Sequence, residues 1–142
     1  MKKKYNLPCN IANTLDIIGD RWTILIVRDI MGGITKFNEL KDSLTGIAPN
    51  ILSDRLQQLE KEGIIVSKLY SKHPPRYEYE LTKEGRSLED VLFALAVWGN
   101  NHFEKKYYRL VDPACDHEVR VTYTCPHCES YTDNPILKPI ED

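Results

Sequence analysis

The chain has 142 residues, of which 42% are hydrophobic and 28% charged, a composition typical of one soluble globular domain with a short appendage. Its longest continuous apolar run, residues 91–98, is far shorter than the roughly 20 residues of a membrane-crossing helix, and no apolar signal core follows the N-terminal lysines. These features exclude membrane-spanning and secreted classes and predict a cytoplasmic protein.

The net charge of -2 is unevenly distributed along the chain. Residues 112–142 carry two basic and seven acidic side chains, a net charge of -5, which leaves +3 for the rest. A mildly basic body with an acidic tail is compatible with phosphate contact, although ordinary surface charge explains so small an imbalance equally well.

Two helices are predicted near the N-terminus. The first begins at Asn10, its capping residue, and extends to Ile18. Asp20 is a favourable N-cap for the second, over residues 21–31, and the glycine pair that follows ends it. The wide apolar stripe of the second helix predicts a core position.

The next segment predicts a short strand at 34–36, a short amphipathic helix at 37–44, and a turn. Pro49 suits the first turn of a further helix that extends to Glu62, where Gly63 stops it.

This further helix has two contrasting faces. Leu52, Leu56 and Leu59 share one sector and should pack on the earlier helices. The opposite face is short-chained, amide-rich and little charged, which suits contact with base edges; an ordinary solvated face is the alternative. Its members are Asn50, Ser53, Asp54, Gln57 and Lys61.

A β-hairpin is predicted from residues 64–70 and 76–81, joined by a proline-containing turn. Its tip carries cations and a histidine without any acid, which suits phosphate contact, although a plain exposed turn is the alternative. These residues are Lys68, Lys72, His73 and Arg76.

Thr82 caps a predicted long helix that reaches about Tyr107. Apolar side chains cover more of its circumference than one face of a small domain can bury. The sequence therefore predicts that this helix contacts a second copy of the chain.

With these elements in order, residues 9–107 resemble the HxlR-type winged helix-turn-helix transcriptional regulators. The resemblance rests on the joint order and spacing of several short segments. These are Cys9, Gly19-Asp-Arg-Trp22, Phe37-Asn-Glu-Leu40, residues 47–59 with Leu52-Ser-Asp-Arg-Leu56, Gly63-Ile64, Pro75-Arg-Tyr-Glu-Tyr79 and Leu81-Thr-Lys-Glu-Gly85.

The resemblance implies a mainly α fold with a small β-hairpin wing, in which a three-helix core and wing are flanked by N- and C-terminal dimerisation helices. Residues 9–107 would form the DNA-binding domain, and 108–142 an acidic extension. A homodimer, paired through the N-terminal and 82–107 helices, would read a pseudo-palindromic double-stranded DNA operator as a repressor or activator.

Residue roles also follow from the resemblance. The implied base-reading residues are Asn50, Ser53, Asp54 and Gln57, and the implied phosphate contacts are Lys36, Arg55, Lys72, His73 and Arg76. Asp54 would accept a hydrogen bond from a cytosine amino group. Arg55 has two interpretations, a phosphate contact or a structural ion pair with a buried stem.

Cys9 immediately precedes the first helix, where the helix dipole favours a thiolate. In some proteins similar to this one, an N-terminal cysteine senses oxidants or electrophiles, so Cys9 is the candidate redox sensor. A buried cysteine at the dimer interface is the alternative.

The extension contains a candidate zinc site. Cys115 and His117 precede the strand-like residues 119–124, and Cys125 and Cys128 follow them. Four ligands could converge in a small zinc-ribbon-like hairpin, with His127 as a substitute ligand; reduced thiols without metal are the alternative. No other cofactor is indicated.

An enzyme is not predicted. A thioredoxin-like Cys-x-x-Cys site needs a βαβ setting that this chain lacks, and no catalytic triad, phosphate loop or dinucleotide fingerprint is present. The remaining alternative to a DNA-binding regulator is a winged-helix adaptor that binds proteins.

Overall fold

The computed structural model describes residues 4–141. They form two compact units, one ending at Leu92 and the other beginning at Phe93. The elements in chain order are α1 (Asn10–Ile18), α2 (Thr23–Met31), α3 (Phe37–Ser43), α4 (Pro49–Lys61), β1 (Ile65–Lys72), β2 (Pro75–Leu81), α5 (Lys83–Arg86), α6 (Glu89–His102), β3 (Tyr123–Thr124) and β4 (Tyr131–Thr132). The predicted fold class, mainly helical with one small hairpin wing, is confirmed.

The hydrophobic core of the first unit lies between α2, α3, α4 and the base of the β1–β2 hairpin. The three leucines of α4 are almost completely buried, as their spacing predicts, and each contributes about 1.5–3 kcal/mol through its burial. The other buried members are Ile26, Val27, Ile30, Leu40, Leu44, Ile47, Ile64, Ile65 and Leu81.

The ends of the helices follow their turn residues. α1 begins at Asn10 itself, and Cys9 in extended conformation occupies the capping position, so the prediction that Asn10 caps this helix is wrong. Gly33 after α2 and Gly63 after α4 both have positive φ, 95° and 74°, a conformation in which only glycine is unstrained. Both predicted stops are confirmed.

The hairpin wing pairs β1 with β2 in an antiparallel register from Ile65 opposite Leu81 to Lys72 opposite Pro75. A bulge between Leu69 and Ser71 leaves Tyr70 without a partner in the register. The predicted strand at 34–36 is reduced to one bridge between Lys36 and Glu78, beside a 2.8 Å hydrogen bond from the Tyr79 N–H to the Thr35 carbonyl.

The continuous helix predicted from Thr82 to Tyr107 is wrong, because the chain forms α5 and α6 with a turn between them. The Ser87 hydroxyl donates to the Glu84 carbonyl at 2.5 Å, and the Leu88 N–H bonds the Gly85 carbonyl three residues back. This tighter bonding interrupts the i to i−4 ladder. Thr82 does cap α5, since its hydroxyl accepts from the Gly85 N–H at 3.1 Å.

The second unit contains most of α6 and the C-terminal extension. β3 and β4 each have two residues, Tyr123 opposite Thr132 and Thr124 opposite Tyr131. The strand predicted at 119–124 is therefore formed only at its end. Among residues 4–141, no helix has both the length and the apolar character needed to cross a membrane.

Candidate nucleic-acid interface

The outer face of α4 presents the predicted base-reading side chains to solvent. Asn50, Asp54 and Gln57 are exposed and Ser53 is half-buried, whereas Leu52, Leu56 and Leu59 on the opposite side are sealed in the core. Because the buried face fixes the rotation of the helix about its axis, the polar face keeps one orientation. The structure thus brings the four predicted residues onto one accessible surface.

Asp20 ties the start of α2 to α4. Its carboxylate accepts from the backbone N–H groups of Trp22 and Thr23 at 3.0 and 3.1 Å, from the Thr23 hydroxyl, and from Arg55 Nε at 2.9 Å. Partial burial raises the pKa of Asp20, but the hydrogen bonds from Thr23, Trp22 and Arg55 outweigh burial and lower it to about 2. Asp20 is therefore a charged anchor at neutral pH.

Arg55 takes the structural alternative of its two interpretations. Besides Asp20 it contacts Asp54, with 2.5 Å between Nη1 and Oδ2, and only 21% of its side chain is exposed. Asp54 Oδ2 also accepts from Gln58 Nε2 at 3.2 Å. The contact of Arg55 with phosphate and that of Asp54 with cytosine stay predictions, and this carboxylate oxygen is already engaged by two partners.

The tip of the wing carries the predicted phosphate-contacting residues. Lys72, His73 and Arg76 are all exposed, and no ion pair forms on them within residues 4–141. Lys68 differs, because its ammonium pairs with Glu80 on the facing strand. Within the wing, the cations without an acidic partner therefore lie at the end of the hairpin.

Lys36 lies where α3 meets the wing. Its backbone forms the bridge to Glu78, and its ammonium lies 4.9 Å from the ring centroid of Tyr70, the residue that the bulge leaves unpaired. This cation–π contact and the bridge fix Lys36 beside β1 and β2.

One connection was not foreseen from the sequence. The Glu60 carboxylate at the end of α4 accepts from the Ser67 hydroxyl at 2.6 Å and from its backbone N–H at 3.2 Å. The two residues flank the Gly63 stop, and a carboxylate there facing a hydroxyl in the next strand is the signal that could have identified the link. It fixes the wing relative to the polar face of α4.

Cys9 is exposed at the capping position of α1, and its side chain makes no capping hydrogen bond. Exposure in the single chain leaves the alternative, a cysteine buried at the dimer interface, open. A sensing role for Cys9 stays a prediction.

The cysteines of the extension do not meet as predicted. Within residues 4–141, no group of three or more His, Cys, Asp or Glu side chains is arranged to hold a metal ion, so the expected convergence of Cys115, His117, Cys125 and Cys128 is not formed. Cys125 and Cys128 share the loop between β3 and β4. Hydrogen bonds from Ser130, with Oγ 3.0 Å from the sulfur, and from Cys125 lower the pKa of the Cys128 thiol.

Comparison with known proteins identifies a family whose model matches most of this chain. Residues 17–107 match the family model described as HxlR-like helix-turn-helix. The uncharacterized HTH-type transcriptional regulator YtcD of Bacillus subtilis is 39% identical over 106 residues, which cover 75% of this chain and 82% of that protein.

Two solved structures are also similar. The crystal structure of PA1607, a transcription-factor candidate, is 34% identical and has a TM-score of 0.76, covering 94% of this chain and 97% of that one. The redox regulator HypR in its oxidized form is 34% identical with a TM-score of 0.60, covering 68% of this chain and all of that one.

Proposed function

Because this chain is a DNA-binding transcriptional regulator of the HxlR-like helix-turn-helix family, we propose that it binds a two-fold-symmetric operator as a homodimer. In each subunit α4 enters the major groove and the β1–β2 wing follows the adjoining phosphate backbone. The two half-sites then lie about one helical turn, roughly 34–36 Å, apart.

The observation that carries the proposal is the exposed polar face of α4, held opposite a sealed leucine face. Asn50 and Gln57 offer both donor and acceptor atoms, and amides of this kind match the edge of adenine in the major groove. The Asp20–Arg55 pair and the Glu60–Ser67 link hold this helix to α2 and β1. A rigidly held reading face favours sequence discrimination over loose electrostatic attachment.

The wing supplies the sequence-independent part of the affinity. The exposed cations Lys72 and Arg76, together with His73, are donors to phosphate oxygens, and Lys36 adds a fourth donor near the wing. Since the body of the chain has a net charge of only +3, we expect few phosphate contacts in each subunit and a modest dependence of affinity on salt.

Exposed apolar surface supports a homodimer. On α1, the side chains of Ile11 and Leu15 face solvent, and no residue of α6 is buried. The exposed fractions of Trp98 and Leu95 on α6 are 61% and 53%. Apolar helix faces of this extent are typical of surfaces that a second subunit covers.

The test compares two variants on sites selected from random DNA by the purified protein. We expect Arg76→Ala to weaken binding to all sequences by a similar factor and to reduce the slope of log affinity against log salt by about 1. Gln57→Ala should instead relax preference at one position of each half-site, at a cost of about 1–3 kcal/mol.

The matched control is Gln58→Ala, which removes the same side chain one position along α4, where the amide contacts Asp54 instead. It should change base preference much less than Gln57→Ala. Equal effects of Arg76→Ala and Gln57→Ala on every sequence would contradict the proposed geometry. If neither variant changes DNA affinity, a protein-binding adaptor is the better description.

A further inference from the structure

The loop between β3 and β4 is a closed turn that contains two thiols. Its ends are joined by the pairing of Thr124 with Tyr131. Within it, the Cys125 N–H donates to the Ser130 carbonyl at 2.9 Å, and the Glu129 N–H donates to the Cys125 carbonyl at 2.8 Å. Residues 125–130 are thus fixed by hydrogen bonds at both ends of the loop.

Within this loop the two sulfur atoms are neighbours. The Cys125 side chain is close enough to that of Cys128 to help lower the pKa of its thiol, and Ser130 Oγ lies 3.0 Å from the Cys128 sulfur. Cys128 is exposed and Cys125 half-buried. Cys128 is therefore accessible to a reagent in solution, and Cys125 lies near it in the same loop.

The spacing also suits a covalent bond. The first and last Cα atoms of a four-residue turn lie within about 7 Å of each other, and a disulfide joins Cα atoms that are about 4.4–6.8 Å apart. Cys125 and Cys128 are three positions apart inside the turn that the bond from the Glu129 N–H to the Cys125 carbonyl closes. A bond between their sulfurs needs little movement of the backbone.

We propose that Cys125 and Cys128 form a dithiol modification site, which low-molecular-mass disulfides convert reversibly into an intramolecular disulfide. The site lies in the second compact unit, outside residues 17–107 that match the family model. It does not depend on Cys9 or on the proposed operator contacts.

The reaction proceeds by two thiol–disulfide exchanges. The Cys128 sulfur attacks one sulfur of the external disulfide, whose S–S bond breaks, and the released thiol carries away the Cys128 proton. The Cys125 sulfur then attacks the Cys128 sulfur, and the second external thiol leaves with the Cys125 proton. The protein pair is oxidised by two electrons and the external disulfide is reduced by two.

The experiment treats the full chain, first reduced, with glutathione buffers of graded ratio of disulfide to thiol. Reaction is stopped with acid, remaining thiols are alkylated, and each cysteine is mapped by mass spectrometry. We expect Cys125 and Cys128 to lose alkylation together in a monomeric chain, without retained glutathione. The Cys125→Ser variant should retain glutathione on Cys128 at least about ten-fold more than the wild type, because the second exchange is lost.

Cys115→Ser is the matched control, since it removes another exposed thiol of the same extension and should leave the 125–128 bond intact. Two results would overturn the proposal: a bond from Cys125 or Cys128 to Cys115 or to a second chain, or full alkylation of both at every ratio. Stoichiometric zinc, in protein purified without chelator, that blocks the oxidation would also overturn it, in favour of a metal site.

Discussion

Asp20 shows how one side chain can do more than its local pattern indicates. The prediction that Asp20 is the N-cap of a helix over residues 21–31 is wrong, because α2 begins at Thr23 and Trp22 occupies the capping position. Asp20, two residues further out, instead accepts hydrogen bonds from the N–H groups of Trp22 and Thr23. Its pairing with Arg55, 35 positions away, depends on the packing of α4 against α2. No local pattern encodes that distance, so the sequence left both interpretations of Arg55 open.

Replacement of Asp20 should change the way in which the free energy of unfolding depends on pH. The pKa of Asp20 is about 2 in the folded chain, compared with 3.8 for an aspartate that lacks these partners. The stabilisation is therefore complete above about pH 4 and is lost as pH falls towards 2. After allowance for screening by solvent, we expect Asp20→Asn to lower the free energy of unfolding at pH 7 by about 1–2 kcal/mol.

The measurement is urea unfolding of both proteins between pH 7 and pH 3. The difference between wild type and Asp20→Asn should shrink below pH 4. Asp42→Asn is the control, because Asp42 is exposed and its carboxylate makes no hydrogen bond or ion pair with the described residues. A difference that stays constant down to pH 3 would argue against the anchor.

Helices and strands were predictable where the spacing of apolar residues or a terminal glycine identifies them. The leucine spacing of α4, the glycine after it and the alternation of β2 all correspond to observed elements. The break between α5 and α6 was not, because Leu88 and Leu92 keep helical spacing across it and both pack against the core. Periodicity reports which side chains face the core and not whether the backbone is continuous.

Gly85 allows α5 to lie close to Ile64 and Leu81 at the base of the wing, because it has no side chain. A Cβ at this position would lie 2.2 Å from the Ile64 carbonyl oxygen and 3.1 Å from Leu81 Cδ2. Since a backbone oxygen cannot turn aside as a side chain can, we expect Gly85→Ala to destabilise the chain by about 1–3 kcal/mol. Thermal or denaturant unfolding measures this effect.

The comparison variant is Gly32→Ala, at the end of α2, where an added Cβ would make only ordinary contacts at 3.5 Å. Its stability should stay within about 1 kcal/mol of the wild type or increase, because alanine restricts the unfolded chain. Similar losses in both variants would show that the contact with Ile64 is not the cause.

At the scale of the whole molecule, the exposed apolar side chains of α6 are compatible with the predicted contact with a second copy of the chain, which stays a prediction. The excess of apolar residues after Thr82 predicted an interface, and α6 has no buried residue of its own. The cysteine spacing was less informative, because the same four residues suit a zinc site or free thiols, and only folding decides which of them meet. A sequence shows when a segment has more apolar side chains than one core can bury. Whether metal ligands converge depends on the geometry of the loops that carry them.

We expect Trp98→Glu to dissociate the proposed homodimer. The indole is 61% exposed and stacks on His102 at a centroid distance of 4.6 Å. A carboxylate there would not disturb the core but would have to be desolvated in an apolar interface, raising the dimer dissociation constant on the order of 10- to 100-fold. Sedimentation equilibrium measures this change.

Ile136→Glu introduces the same charge in place of an apolar side chain that is 75% exposed in the extension. It should leave the dimer intact. A monomeric wild type, or equal dissociation by both variants, would contradict assignment of the dimer contact to α6.

The outer edge of β1 bears on the solubility of the chain. β2 is bridged on its other side by Lys36, whereas no further strand pairs with β1 in the described residues, and Glu60 takes only the Ser67 N–H of that edge. An unpaired edge invites strands of other molecules to add to it, and lysines and bulges discourage such addition. Lys68, Lys72 and the bulge at Tyr70 all lie on this strand. We therefore expect Lys72, which is proposed to contact phosphate, also to discourage the addition of strands from other molecules when no DNA is bound.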